Sequence, residues 1–438
     1  MRVWLIKEGE PLFTDTNARI MRTGLLAEYL SSQGHEVIWF SSTYSHGQKK
    51  YQYKKRTTIQ YQKLLTLELM HSPIVYKKNI SVNRILYFKR LGKAFKRRIK
   101  ELKKPDIILC SYPTLEFARE AVRYGNENNV PVILDVRDLW PDIFVRAFPK
   151  CLRKASEQLL KPLNRKTEKV FRNADGIIGI TPYFMQWGVK KAGREQRKAD
   201  RSFYIAYKKQ DMSGESVELE IDFWNHLDIR ADDKVICFFG VLNRNTLDLE
   251  TVITAVKKIA VVYQNIKLVI CGTGDDLNYF KNLAEDCGNI LFPGWVDGKQ
   301  ILALMTLSSL GVYPMRNLID FRNTMGNKII EYLSQGLPVL TCSGSFAAEF
   351  VQNNRVGAMY EEEDIESCIR MITYCFENLT NEITRTHIRK IYLDNFESEL
   401  VNQKIEAYLT EIVGENTLQS SKCGMPETLF YKAKEKEL

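Results

Sequence analysis

A rhythm constrains this chain more than any other feature. Short apolar runs alternate with segments of helical period, and the series runs twice along the sequence. That alternation is the signature of parallel sheets joined by crossover helices. In the first series, residues 2–6, 36–40, 106–110, 130–136 and 174–180 read as strands. A helix over 19–32 puts Met21, Leu25, Leu26, Tyr29 and Leu30 on one face, and Gly34 stops it as a left-handed cap. The second series places strands at 235–239, 267–271, 290–292, 311–313 and 338–342, with helices between them and a long amphipathic segment near 381–413. The stretch 208–230 is polar, strand-poor and partly acidic, so the domain boundary falls there. The expected organisation is an acceptor-side domain at 1–212, a ligand-binding domain at 213–412 and a polar tail at 413–438. The expected fold class is α/β, two doubly wound Rossmann-like domains facing a cleft. Ligands are expected at the carboxyl ends of the strands.

The net charge of +10 is unevenly distributed. Residues 1–213 carry 42 Lys and Arg against 20 Asp and Glu, which leaves 21 against 33 for the rest. A basic half of this kind suits an anionic partner: a membrane surface, nucleic acid or a phosphorylated substrate. The nine cysteines form no CxxC pair, and Cys110, Cys237, Cys271 and Cys342 lie in apolar runs, which favours a reducing cytoplasm over a disulfide framework. Five scattered histidines give no zinc spacing, so no metal is expected. The apolar run at the N-terminus is too short for a signal peptide, and no uncharged stretch is long enough to span a bilayer.

The sharpest local motif runs from Met325 through Gly326-Asn327-Lys328 and Glu331 to Gly336 and Pro338. It reads as a loop, a short helix, a glycine stop and a buried strand. Lys328 and Glu331 are three residues apart and share a helix face. Free N–H groups at the helix start, with the Lys328 charge, suit a diphosphate, and a carboxylate one turn on suits ribose hydroxyls. The competing reading is an ordinary surface Lys–Glu pair. Upstream, Gly272-Thr273-Gly274 follows a strand and either admits a ligand to the backbone or makes a tight turn. Pro293-Gly294-Trp295-Val296 ends another strand, where a nucleobase or a plain turn could sit.

The order of strand–Gly-x-Gly, Pro-Gly-Trp-Val and Asn-Lys-x-x-Glu-Tyr-Leu-x-x-Gly-x-Pro-Val resembles the donor domain of family-four retaining glycosyltransferases of the GT-B fold. The first half resembles the bacterial surface-polysaccharide branch of that family. There the matching residues are Gly9-Glu10-Pro11, Arg19-x-x-Arg22-Thr23-Gly24, Gly34-His35-x-Val37 and Asp135-Val136-Arg137-Asp138-Leu139-Trp140-Pro141-Asp142. The resemblance covers roughly residues 1–410. It implies sugar transfer from a nucleotide diphosphate donor, expected to be UDP-linked, with retention. It implies Glu331 on the ribose, and Gly272, Gly274, Trp295 and Val296 around the base. Where many members carry an acidic residue against the donor sugar, this chain has Asn323. Where many clamp the diphosphate with an Arg and a Lys, it has Arg244 alone, so Arg322 and Lys328 are expected to contribute. Asp138 is the candidate catalytic carboxylate, with an N-cap or an Arg137 partner as its plain alternatives. Arg137 stands where many members have a His. Arg19 and Arg22, read in the first turn of the first helix, are candidates for phosphate or acceptor contact, as is Arg137.

Residues 84–104 hold Arg84, Lys89, Arg90, Lys93, Lys96, Arg97, Arg98, Lys100, Lys103 and Lys104 against Glu101 alone, with Ile85, Phe88, Leu91, Phe95, Ile99 and Leu102 at helical spacing. This basic amphipathic helix is either a membrane-surface element or a solvated crossover helix. The expectation is therefore a cytoplasmic enzyme, peripheral on the inner face of the cell membrane, that builds capsule, exopolysaccharide or O-antigen on a lipid-linked saccharide acceptor. Nucleic acid is not expected as a partner, since no recognisable module for it occurs. The alternatives are a nucleotide-sugar epimerase of the same fold, or a basic lipid- or nucleic-acid-binding protein.

Overall fold

The computed structural model describes residues 1–438 except 16–18, 78–80, 149–152, 210–214, 231, 320 and 424–438. The chain divides into two compact units, Met1–Ala206 with the residues from Val401 onward, and Tyr207–Leu400. Relative to the boundaries read from sequence, the first unit ends at 206 rather than 212. The second gives up residues 401–412 to the first.

The first unit contains β1 (Arg2–Ile6), α1 (Arg22–Ser32), β2 (Glu36–Ser42), β3 (Tyr44–Ser45), β4 (Lys50–Tyr51), β5 (Thr57–Gln62), β6 (Leu65–Met70), α2 (Val82–Arg98), β7 (Ile107–Tyr112), α3 (Leu115–Asn128), β8 (Val132–Val136), α4 (Arg153–Arg172), β9 (Gly176–Gly179), α5 (Pro182–Ala192) and β10 (Arg201–Ser202). Its main sheet runs in the order β10-β9-β8-β7-β1-β2-β6-β5. All neighbours are parallel except β5 and β6. Both faces are covered, which explains the near-continuous apolar strands. From β1, Trp4 and Ile6 pack with Phe88, Leu91 and Phe95 of α2, while Val3 and Leu5 pack on the other face with Leu26 and Leu30 of α1.

The second unit contains α6 (Glu215–His226), β11 (Lys234–Phe239), α7 (Leu249–Ile259), β12 (Ile266–Cys271), α8 (Leu277–Leu283), β13 (Ile290–Gly294), α9 (Gly298–Leu307), β14 (Ser308–Tyr313), α10 (Asn327–Ser334), β15 (Val339–Cys342), α11 (Phe346–Asn353), β16 (Gly357–Tyr360), α12 (Ile365–Asn378) and α13 (Glu382–Asn395). Its six-stranded sheet, β13-β12-β11-β14-β15-β16, is wholly parallel. Crossover helices α7 and α12 bury Val252, Ile253, Val256, Ile372 and Cys375 against it.

Four details depart from the sequence reading. The first helix begins at Arg22, because Met21 is extended and acts as its N-cap; Arg19 lies in the loop before it. The basic helix stops at Arg98, so Lys100, Lys103 and Lys104 lie beyond it. Residues 57–70 form two further strands, β5 and β6, where the sequence reading places none. The segment read over 381–413 breaks into α13 and α14 (Ser398–Cys423). Glu397 makes the break by accepting from the N–H groups of Glu399 and Leu400 at 2.6 and 3.0 Å. From α14, Val401, Ile405, Tyr408, Leu409 and Ile412 enter the core of the first unit, and the Tyr408 hydroxyl donates to the Ala199 carbonyl at 2.7 Å.

Ile405 is fully buried. Ile405→Ala is expected to lower stability by about 2–5 kcal/mol through lost burial and a residual cavity. Urea denaturation checks this, and the loss should fall on the transition that reports the first unit.

Candidate functional site

In the first unit the carboxyl ends of β1 and β8 meet over a buried ion network. Asp135, the fourth residue of β8, is fully buried. Its Oδ2 takes the Arg137 Nε at 2.7 Å and lies 3.5 Å from the Arg22 Nε. Arg137 also pairs with Glu10 through Nη1. Glu10 in turn accepts from the Thr23 N–H and hydroxyl, each at 3.0 Å. Arg22 donates through Nη1 to the carbonyls of Phe203, at 2.8 Å, and Tyr204. Burial disfavours charge on Asp135, but Arg137 and Arg22 outweigh it and hold the carboxyl below its ordinary value. Burial likewise pulls Arg137 down, and Asp135 with Glu10 more than restores it.

Arg22 and Arg137 are therefore engaged inside the protein, while Arg19 is exposed. Among the described residues Arg137 pairs with Glu10 and Asp135. Asp138 Oδ1 accepts from the Leu139 N–H at 2.8 Å. The N-cap of the short 3-10 helix that follows is Pro141.

Asp138 lines a cavity of about 210 Å³ with Lys7, Glu8, His46, Arg84, Arg137 and Trp140. The sequence reading found no histidine for this region. His46 reaches it from the loop after β3, some ninety residues from Asp138, and only the sheet order brings the two together. Arg84 stacks its guanidinium 4.7 Å from the Trp140 ring centroid.

In the second unit the carboxyl ends of β11, β12 and β13 are laced together. The Gly240 N–H bonds the Cys271 carbonyl at 2.9 Å, Leu242 bonds Thr273 at 3.0 Å, and Gly272 bonds the Gly294 carbonyl at 2.6 Å. A Cβ on Gly272, whose φ is +129°, would lie 1.9 Å from the Gly240 oxygen, and one on Gly274 would lie 2.1 Å from the Leu242 oxygen. Both glycines are thus required by backbone crowding between adjacent strand ends.

The same crowding seats Lys328. A Cβ on Gly240 would lie 2.7 Å from the Lys328 Nζ, and that ammonium stands 5.4 Å from the Phe238 ring centroid. Burial pushes the Lys328 amine downward, against the opposing pull of Glu331. Glu331 is only 8% exposed, and no ion pair joins it to Lys328 among the described residues. An ordinary surface Lys–Glu pair does not describe this arrangement. The N-cap of α10, Gly326, offers no side-chain acceptor to the first N–H groups of the helix. A Cβ there would strike the Tyr313 ring at 2.4 Å.

The other residues singled out are dispersed around this point. Trp295 is 74% exposed, whereas Val296 is buried. Arg322 is exposed and Asn323 half-buried on the segment before α10. Arg244 is exposed, stacks 4.3 Å from the Tyr279 ring centroid and lines a second cavity with Arg316, Asp248 and Glu250. Arg316, which sequence reasoning missed, draws in Glu250, Glu362 and Glu363 at 2.6–3.4 Å.

Residues 22–199 match the family described as Glycosyltransferase Family 4, and residues 222–390 match Glycosyl transferases group 1. A GDP-mannose-dependent alpha-(1-6)-phosphatidylinositol monomannoside mannosyltransferase of Mycobacterium tuberculosis is 28% identical over 138 residues, 30% of this chain and 35% of that protein. The chain spans about half or less of the length of the curated relatives it matches, 35–48%. Among solved structures, sucrose-phosphate synthase of Thermosynechococcus elongatus matches with a TM-score of 0.68 at 14% identity, over 94% of this chain and 99% of that one. Anabaena HepE in complex with UDP matches with a TM-score of 0.62 at 13% identity, over 94% and 100%. The fold is that of the GT-B glycosyltransferases, with two Rossmann-like α/β domains.

Asp135→Asn should cost about 3–5 kcal/mol, because it leaves two buried guanidinium groups undercompensated. A depressed folded-state pKa stabilises fully above the unfolded value and is lost as pH falls through the folded value. The wild type should therefore lose more stability than Asp135→Asn on acidification below about pH 4. Chemical denaturation at pH 7 and at pH 3 checks both statements; parallel losses in the two proteins would contradict the second.

Proposed function

We propose that this chain, which carries the paired family-four and group-one glycosyltransferase domains, moves a sugar from a nucleotide diphosphate donor to a lipid-linked saccharide, with retention of anomeric configuration. The observation that carries the reading lies at the start of α10: half-buried Lys328 beside Gly240, and buried Glu331 one turn further in. In this reading Lys328 and the N–H groups of α10 stabilise the charge that grows on the leaving diphosphate. Glu331 accepts hydrogen bonds from the ribose hydroxyls. Arg322 and Arg244 supply further positive charge, Asn323 meets the sugar hydroxyls, and Trp295 offers an exposed aromatic face to the base. The bond from the anomeric carbon to the diphosphate oxygen breaks as the acceptor hydroxyl bonds to that carbon. The hydroxyl proton leaves to Asp138 or to the departing phosphate.

We assign the donor as UDP-linked and the acceptor to the first unit. The UDP complex of the structural neighbour supports the nucleotide, and the phosphatidylinositol acceptor in the name of the curated relative supports a lipid. The location follows from charge and exposure. Val82, Ile85 and Leu86 of α2 are exposed, and Lys89, Arg90, Lys93 and Arg97 continue that surface at spacings of three and four. Apolar and basic groups together on one exposed face suit an anionic membrane surface, here the cytoplasmic one. Arg98 is not part of that face: it bonds Glu68 at 2.6 Å and Glu101 at 2.9 Å, anchoring the end of α2 to β6. Among the described residues no helix is long and apolar enough to cross a membrane.

Glu331→Ala should weaken UDP binding by about tenfold to a hundredfold, the scale of a lost hydrogen bond to a charged group, as titration calorimetry would show. Unchanged affinity and turnover would remove Glu331 from the site. Replacing Lys89, Arg90, Lys93 and Arg97 by Gln should abolish sedimentation with phosphatidylglycerol vesicles at low salt while leaving UDP binding intact. Sedimentation that persists would assign membrane attachment elsewhere.

A further inference from the structure

Glu8 stands two residues past β1, is 6% exposed and lines the cavity that holds Asp138. A carboxylate taken out of water is normally paired or held by several hydrogen bonds. Asp135, buried nearby, follows that rule with its two guanidinium groups. Glu8 does not. Among the described residues no ion pair reaches it, and its carboxylate takes one hydrogen bond, from the Tyr87 hydroxyl at 3.5 Å. That distance is longer than an O–H donor usually makes.

The groups around Glu8 are committed elsewhere. The Tyr44 hydroxyl donates to the Tyr76 carbonyl, and the Tyr76 hydroxyl lies 2.7 Å from the His46 Nδ1. Arg137, which lines the same cavity, pairs with Glu10 and Asp135. Lys7, Lys49 and Arg84 favour the charged form of Glu8 from outside ion-pair distance, but burial outweighs them and pushes the carboxyl upward. A buried acid with one long hydrogen bond, at the wall of a cavity, is left with acceptor capacity that the fold does not use.

The chemistry of the missing partner follows from the surroundings. A second anion would be repelled by the carboxylate. A cation would meet Lys7, Lys49 and Arg84, which already surround it with positive charge. A neutral hydroxyl suits the carboxyl in both of its states, since it donates to the carboxylate and accepts from the acid.

We infer that Glu8 is a specificity residue for the acceptor, and that its carboxyl group exchanges a hydrogen bond with a hydroxyl of a neutral sugar seated in this cavity. The inference rests on the reading of the first unit as the acceptor side. It goes further by naming the residue that selects the acceptor and the kind of group it selects.

The test follows the side-chain carboxyl resonance of Glu8 in the full chain, labelled with 13C-glutamate and assigned by its loss in Glu8→Gln. The methyl glycosides of glucose, galactose, mannose and N-acetylglucosamine are titrated separately. Tetrahydropyran, which has the ring without hydroxyls, and methylammonium are titrated as controls. The expected result is a saturable shift with at least one glycoside and none with either control. Affinity for that glycoside, read by saturation-transfer NMR, should fall at least about tenfold in Glu8→Leu, the scale of a lost hydrogen bond to a charged group. It should be retained in Lys328→Met, which alters the second unit. Leucine has a similar volume and removes a poorly paired buried carboxyl, so Glu8→Leu should keep the fold. The wild-type titration stands even if it does not. No shift with any glycoside, an equal shift with tetrahydropyran, a shift with methylammonium alone, or unchanged affinity in Glu8→Leu would overturn the inference. UDP binding by the same samples separates the two readings. UDP binding without a Glu8 response sinks the sugar subsite alone, and a Glu8 response without binding of any nucleotide sinks the transfer reaction alone.

Discussion

The first unit is organised around one buried charge. Asp135 lies at the end of a central strand of a parallel sheet covered on both faces, where an unpaired carboxylate would cost several kcal/mol. Arg22 and Arg137 close on it from α1 and from the loop after β8, and Glu10 balances the second guanidinium from the loop after β1. Three chain segments are thereby fixed at the carboxyl ends of β1 and β8. The segment that carries Asp138 and Trp140 leaves this network directly, so the cavity inherits its rigidity from the ion cluster beneath it.

The strand ends of the second unit are held in a different way. Its strand ends are crowded backbone to backbone, and glycine is required at Gly272 and Gly274 because a methyl group would collide with a carbonyl oxygen. The Lys328 ammonium lies against Gly240, and α10 begins at a glycine pressed on Tyr313. Preorganised charge of this sort costs no reorganisation when negative charge develops nearby. Bulk charge is then of little consequence for recognising a nucleotide, which accounts for an acidic second half beside a basic first one.

Much of this was legible in sequence, for definite reasons. Parallel strands buried on both faces are continuous apolar runs, so β1, β7, β11, β12 and β15 could be read from composition alone. The Lys328–Glu331 spacing on α10 was equally plain. What escaped was whatever depends on partners far along the chain. The strand β6 carries Glu68 in its middle, which looks unfavourable until Arg98 arrives to pair with it. Helix α4 contains Pro162, which reads as a break. The C-terminal helix belongs to the first unit because Ile405 and Tyr408 fill its core, a fact no local pattern states. His46 could not be placed beside Asp138 without the strand order. Arg22 and Arg137, read as candidates for phosphate or acceptor contact, have a buried partner in Asp135 that is recognisable only in three dimensions. The glycines of Gly272-Thr273-Gly274 were legible as a motif, but their cause is strand packing.

The central proposal is that the second unit binds a nucleotide sugar through Lys328 and Glu331 at the start of α10. Thermal unfolding of the intact chain in the presence of a panel of UDP-, GDP-, ADP- and dTDP-linked sugars tests it most directly, because a ligand that binds only the native state must stabilise it. The account predicts that a UDP-sugar at about a hundred times its Kd adds about 2.7 kcal/mol of stability, while the matching free sugar adds none. A panel in which no nucleotide sugar moves the transition would contradict it.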